Sequence, residues 1–174
     1  MLSAVTEPLR LHGLAPLVSS HTQLLVLGSF PSATSLARQQ YYARPQNAFW
    51  KILQAIWPSS PYCISVDSYE KRRAVLLSQG LGLWDVYASC ERQGSLDSAI
   101  QHPQVNDLAV LVKRCSALRV IAHNGGESFR HARHTRTLGF PVVQLPCTSP
   151  ANARWSFERK LAAWREVVEL AGLV

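Results

Sequence analysis

Leu24-Leu25-Val26-Leu27-Gly28-Ser29-Phe30-Pro31-Ser32 is the stretch that decides the fold. Four consecutive apolar residues, bounded by polar neighbours and stopped at Gly28, read as a strand buried on both faces. Strands of that kind sit in parallel sheets covered by helices above and below. On its C-terminal side a long loop is expected from Ser29 to about Gln46. Phe49, Trp50, Ile52, Leu53, Ile56 and Trp57 then recur at helical spacing until Pro58 stops them. Ser68 to Gln79 reads as a second helix, with Ser68 as its cap.

Three more strand-like runs follow: Leu81 to Tyr87, Leu118 to Ala122 and Pro141 to Leu145. Asn106 or Asp107 is placed to cap a helix running to Cys115. A basic helix is expected over Glu127 to Thr137. The last helix, from about Ala153 to Leu170, carries Phe157, Leu161, Trp164 and Val168 on one face. Strands alternating with helices predict an α/β fold. Its expected form is a three-layer α/β/α sandwich with a central, mostly parallel four-stranded sheet, in one domain over residues 1–174. Such sheets carry their sites at the carboxyl ends of the strands, here the segments after Leu27, Tyr87, Ala122 and Leu145.

The chain has 174 residues, with 18 Lys+Arg against 11 Asp+Glu and a net charge of +7. An apolar fraction of 47% excludes a disordered chain. No apolar run has the roughly 20 residues of a membrane span, and the N-terminus lacks the pattern of a secretory leader. A cytoplasmic protein acting as a monomer is therefore expected. The basic charge is uneven. No carboxylate lies between Pro8 and Val66, and Lys113 to Arg136 holds six Lys or Arg against Glu127 alone. Such clustering suits a polyanion, because Lys and Arg neutralise phosphates and release counterions. A basic surface that serves only solubility is the alternative. Cys63, Cys90, Cys115 and Cys147 form no C-x-x-C pair, so thiols rather than a zinc or redox site are expected. His131 and His134 lack a third ligand. No metal and no cofactor are expected.

The sequence at the strand ends is distinctive: GSFPSATSLARQQYYARPQNAFWKIL from Gly28, GLGLWDVYASCERQGSLDSAI from Gly80 and LPCTSPANA from Leu145. In order and spacing these segments resemble the uracil-DNA glycosylase superfamily, and most closely its hypoxanthine-DNA glycosylase branch. That branch more often reads GSFPG, YYAHPRN and PSTSPAN, so Ser32, Arg44, Gln46 and Cys147 depart from it. The resemblance implies hydrolysis of the N-glycosidic bond of a deaminated base flipped out of DNA: hypoxanthine, with uracil or xanthine as further candidates. It implies no iron–sulfur cluster, because the four cysteines are not spaced for one.

By that resemblance Asn47 is the catalytic residue, although its position also suits a helix cap. Ser29 and Phe30 would line the base pocket, with the ring of Phe30 stacked on the base. Asp85 has the chemistry to accept a ring N–H, or else is a buried carboxylate that fixes a loop. Asn124 can offer both amide groups to a base edge, or else serves a turn. Thr148, Ser149 and Asn152 would hold the phosphate beside the flipped nucleotide, and Arg44, Arg130, Arg133 and Arg136 would attract the backbone. Two rival readings stay open. Gly126-Glu127-Ser128 begins like a serine-hydrolase elbow but lacks the second glycine. A non-enzymatic nucleic-acid-binding module would use the same charge and aromatics without a catalytic asparagine.

Overall fold

Leu24–Gly28 forms strand β2, with all five residues buried. It lies at the centre of a parallel sheet between β3 (Leu81–Asp85) and β6 (Val120–Asn124), with β7 (Val142–Leu145) beyond β6. This is a computed structural model, and it describes residues 8–60 and 67–174. Cys63 lies outside the described residues.

Side chains alternate across the sheet, as strand geometry requires. Leu24, Val26, Leu81, Leu83, Val120 and Ala122 point into one core with helices α2 (Phe49–Ile56), α3 (Tyr69–Ser78) and α7 (Phe157–Leu170). Leu25, Leu27 and Ile121 point into a second core with α4 (Leu108–Arg114). The expected three layers and four parallel strands are therefore present. Phe49 and Trp164, both fully buried, meet edge-on at 5.6 Å and join α2 to α7. Such aromatic pairs add about 1 kcal/mol beyond the area they bury.

Four local expectations are corrected. The strand expected over Leu81 to Tyr87 ends at Asp85. Val86 and Tyr87 donate their backbone N–H groups to the carbonyls of Gly28 and Ser29, and the chain leaves the sheet there. Tyr87–Glu91 becomes β4 of a second, antiparallel sheet, between β1 (Arg10–His12) and β5 (Gln101–Val105). Too short and too polar to show a period, β1 and β5 gave no strand signal.

The segment after Ser29 is not all loop. Ala33–Arg38 forms α1, because the Ser32 hydroxyl accepts the Ser35 N–H as an N-cap. The basic helix divides into α5 (Gly126–Phe129) and α6 (Ala132–Arg136). Finally, α7 starts at Phe157 rather than Ala153, because Ser156 caps it through the Arg159 N–H.

His123 on β6 is fully buried. Its Nδ1 is 2.8 Å from Ser128 Oγ and its Nε2 2.9 Å from Thr135 Oγ1. Ser128 in turn donates to the Leu27 carbonyl, which stitches α5 and α6 to the sheet. That also excludes the hydrolase elbow, since a sealed hydroxyl bonded to a backbone carbonyl reaches no substrate.

Burial lowers the His123 pKa from 6.5 to about 4. A folded-state pKa below the unfolded one means stability that is present above pH 6.5 and lost as pH falls through 4. We expect His123→Leu to cost about 1–3 kcal/mol at pH 7.5 through its two lost hydrogen bonds. The cost should shrink at pH 4.5, where the wild type must bury or expel an imidazolium. Thermal melts of both proteins at the two pH values check this; an equal penalty at both would contradict it.

Candidate active site

The carboxyl ends of β2, β3, β6 and β7 open onto one cavity of about 780 Å³, large enough for a nucleotide base with its sugar. Its walls include Gly28, Ser29, Tyr42, Arg44, Asn47, Asp85, Asp97, Asn124 and the turn from Pro146 to Asn152.

Asn47 is positioned by its own turn. Its N–H donates to the Arg44 carbonyl at 3.0 Å, across Pro45. The Phe49 N–H donates to Asn47 Oδ1, also at 3.0 Å, which identifies the oxygen end of the amide. The N-cap position of α2 is Ala48 rather than Asn47; Asn47, one residue earlier, accepts the first helical N–H, and that bond aims its side chain. One lone pair of Oδ1 and the whole NH₂ group remain for a ligand. The next residue anchors the loop across the site, where the Ala48 N–H donates to the Thr148 carbonyl at 3.0 Å.

Asp85 ends β3 at 5% exposure, and its Oδ2 is buried with no partner among the described residues. Burial raises its carboxyl from 3.8 to about 7; Asp97 adds to the rise and Arg92 opposes it. Gly28 is the residue that makes room. A Cβ there would fall 2.5 Å from Asp85 Oδ1, inside any allowed contact. A buried acceptor that finds no partner in the fold costs about 1–3 kcal/mol, a cost that calls for an explanation.

Asn124, at the end of β6, is more committed than expected. Its Nδ2 donates to Tyr42 Oη and Thr148 Oγ1, both at 3.0 Å, and its Oδ1 accepts the Thr148 N–H. Both amide hydrogens are used, which leaves one lone pair for a base. Its evident work is to hold Tyr42 and the turn after β7 in register. Tyr42, with a left-handed φ of 51°, stacks on Phe49 at 4.1 Å. Its hydroxyl accepts from Asn124 and retains its own proton to donate.

Several expectations are corrected here. The Phe30 ring does not stack in the cavity. It is buried in the second core beneath the Arg92 guanidinium, 5.2 Å from the ring centre, because Phe30 points to the opposite side of the strand end from Ser29. The aromatic side chains that line the cavity are Tyr41, Tyr42 and Trp155 instead. Ser29 lines the cavity, but its hydroxyl donates to Asp97 Oδ1 at 2.6 Å. Thr148 is buried in its bonds to Asn124. Ser149 shapes the turn by accepting the Ala151 N–H, and Asn152 braces it by donating to the Cys147 carbonyl. Arg44 is exposed on the rim. Arg130 and Arg133 do not line the cavity, and Arg130 pairs with Glu127 at 3.2 Å.

Asp97 and Arg92 carried no role in the sequence reading. Asp97 enters from the 3₁₀ turn before β5, so its place in the wall depends on the unforeseen second sheet. Arg92, 9% exposed, clamps that sheet to the pocket loop by donating to the Pro31 carbonyl at 2.6 Å. Among the described residues no cluster of His, Cys, Asp or Glu is placed to hold a metal ion, and no helix is long and apolar enough to cross a membrane.

Comparison with known proteins agrees with this geometry. The family model described as the uracil DNA glycosylase superfamily matches residues 15–168. Proteins named hypoxanthine DNA glycosylase in Methanosarcina acetivorans and Methanosarcina barkeri are 35% and 30% identical to this chain. The alignments cover 89% and 88% of this chain and 96% and 95% of those relatives. A solution NMR structure from Methanosarcina acetivorans, provisionally assigned as a uracil DNA glycosylase, matches with a TM-score of 0.83 and 32% identity. It covers 95% of this chain and 99% of that one. A parallel sheet whose strand ends form a base-sized cavity, matched in sequence across almost its whole length, places this chain in the uracil DNA glycosylase superfamily.

Proposed function

We propose that the protein is a monofunctional DNA glycosylase that releases hypoxanthine from a deoxyinosine flipped out of duplex DNA. The observation that carries the proposal is the convergence of Asn47 and the orphaned carboxyl of Asp85 on one base-sized cavity. The names of the relatives support the choice of base.

In this reaction a water oxygen bonds to the sugar C1′ and the bond from C1′ to the base nitrogen breaks. The electron pair leaves with the base, and the proton that the water gives up passes through solvent to the departing base. Asn47 Oδ1 accepts one hydrogen bond from the attacking water, and the adjacent NH₂ steadies it. Neutral positioning of this kind suffices because the sugar develops its positive charge as the base departs. Hypoxanthine presents a ring N–H beside a carbonyl. Asp85 accepts from the N–H, and the Tyr42 hydroxyl donates to the carbonyl as negative charge grows on the base. Uracil shares that donor–acceptor pair. An inosine mispair also lowers the cost of extrusion, itself a few kcal/mol.

The test is incubation with duplexes containing deoxyinosine, deoxyuridine or deoxyxanthosine, followed by alkali to break abasic sites. Cleavage at deoxyinosine is expected. Intact strands with all three would overturn the proposal and leave a binding module. Duplex affinity should fall at least tenfold between about 50 and 200 mM salt, because several phosphates are neutralised. A flat salt profile in fluorescence anisotropy would contradict the electrostatic part.

A further inference from the structure

Lys160 lies in the first turn of α7, 6% exposed. Among the described residues it has no carboxylate partner. The bond recorded for its Nζ is a long one, 3.5 Å, to the carbonyl of Ser149. Three costs meet at this ammonium. Burial removes its hydration, which is expensive for an unpaired charge. The N-terminal turn of a helix carries a positive partial charge that repels it. Arg154 and Arg159 stand nearby in sequence with Glu158 as the only acid between Ser149 and Leu161. A packing role alone would be served better by methionine or leucine.

The cost is recovered if an anion sits above the turn. Ser149 lines the cavity, and its carbonyl oxygen accepts both the Asn152 N–H at 3.0 Å and the Lys160 ammonium. The turn is stiffened by Pro146 and Pro150. An ammonium beneath it therefore acts on whatever binds above it from a fixed position, with little water to screen the field.

We propose that Lys160 is a positioning residue for the substrate: a buried counter-charge beneath the turn from Pro146 to Asn152 that draws a DNA phosphodiester onto it. The proposal rests on the DNA-glycosylase reading of this site and adds the group that supplies its local positive field. Lys160 acts through Ser149 and touches no reacting atom.

Lys160→Gln separates charge from support, because its amide still donates to the Ser149 carbonyl. The probe is a duplex with a tetrahydrofuran abasic analogue, which is bound but not cleaved. Affinity is read by anisotropy across a salt series. We expect binding to weaken about five- to tenfold at 100 mM salt and the slope of log K against log salt to shrink by about one. Lys160→Arg should restore that slope. With deoxyinosine duplex, the half-saturating DNA concentration should rise more than the saturated rate falls. Melting temperature should be kept or raised in the glutamine variant, because an uncompensated buried charge has gone. An unchanged salt slope in Lys160→Gln, or an equal loss in Lys160→Arg, would overturn the proposal and make Lys160 a structural support. Should the glutamine variant fail to melt cooperatively, Lys160→Met read on the same series decides by the same slope. Wild type that binds with a steep slope but excises nothing would sink the glycosylase reading alone. An active enzyme whose slope ignores Lys160 would sink this one alone.

Discussion

Asn47→Ala should lower the rate of deoxyinosine excision by roughly 10²–10³-fold, the usual cost of removing one preorganised polar group from a reaction centre. Duplex affinity should change little, since the phosphate-facing groups stay in place. Alanine also removes the acceptor of the Phe49 N–H, and losing that hydrogen bond costs about 1 kcal/mol. Part of the rate loss could then come from a loosened loop. Asn47→Asp isolates the chemistry, because a carboxylate still accepts the Phe49 N–H and supplies no NH₂ group. Single-turnover rates with alkali cleavage, alongside anisotropy, separate the cases. Equal excision by wild type and both variants would remove Asn47 from the mechanism.

Asp85→Asn should have the second-largest effect, and it should act on activity and stability in opposite directions. The asparagine carbonyl still accepts a ring N–H, but as a neutral acceptor. A charge-assisted hydrogen bond is about twice as strong, so excision should slow by about 10–100-fold. Wild-type kcat/KM should rise with pH through about 7 as the Asp85 carboxyl ionises; the variant should lose that step. Stability runs the other way. The folded-state pKa lies above the ordinary 3.8, so the folded state holds a proton that the unfolded chain gives up. This group's contribution is present below pH 3.8 and is lost as pH rises to about 7. At about 1.4 kcal/mol per unit, the loss from 3.8 to about 7 comes to roughly 4 kcal/mol. Allowing about 1–3 kcal/mol for an unpartnered buried amide, the variant should be more stable than wild type by about 2 kcal/mol at pH 8.

His123 gives this a second readout. Between pH 4.5 and 6.5 its slope opposes that of Asp85, since one group binds protons on folding and the other releases them. In the wild type the two largely cancel. In Asp85→Asn the Asp85 slope is gone, so stability should climb more steeply with pH across this window than in wild type; Asp97, also raised, and His131, also lowered, contribute alike to both proteins. Denaturant midpoints at several pH values test it. A variant whose profile is no steeper than that of wild type, or one less stable than wild type at pH 8, would contradict the electrostatic account of Asp85.

Much of this was legible before any coordinates. The run Leu24 to Leu27 marks the central strand because all of it is apolar. Ser68, Asp107 and the strand after Leu118 announce themselves by local rules of capping and periodicity. Asp85 and Asn124 stood out as polar residues at strand ends, and Asn47 through the resemblance of its YYA-x-P-x-N block to the superfamily. Less legible was how each side chain spends its hydrogen bonds. Asn124 looked like a reader of bases; Tyr42 and Thr148, distant in sequence, take its amide hydrogens. Phe30 looked like a stacking platform, and the side of the strand end it takes was decided by the core it fills.

The sequence by itself determined the sheet, its parallel order and the loops that bear the chemistry, because burial on both faces, period and capping are short-range properties written in consecutive residues. Only the tertiary structure decided that β4 leaves the main sheet to bring Asp97 to the pocket and Arg92 to the loop beside it, and that, among the described residues, Asp85 is buried with an unmet acceptor and Lys160 has no carboxylate partner. Each of those depends on desolvation and on partners tens of residues away, and a charge buried or a bond unmade exists only once the chain has closed around it.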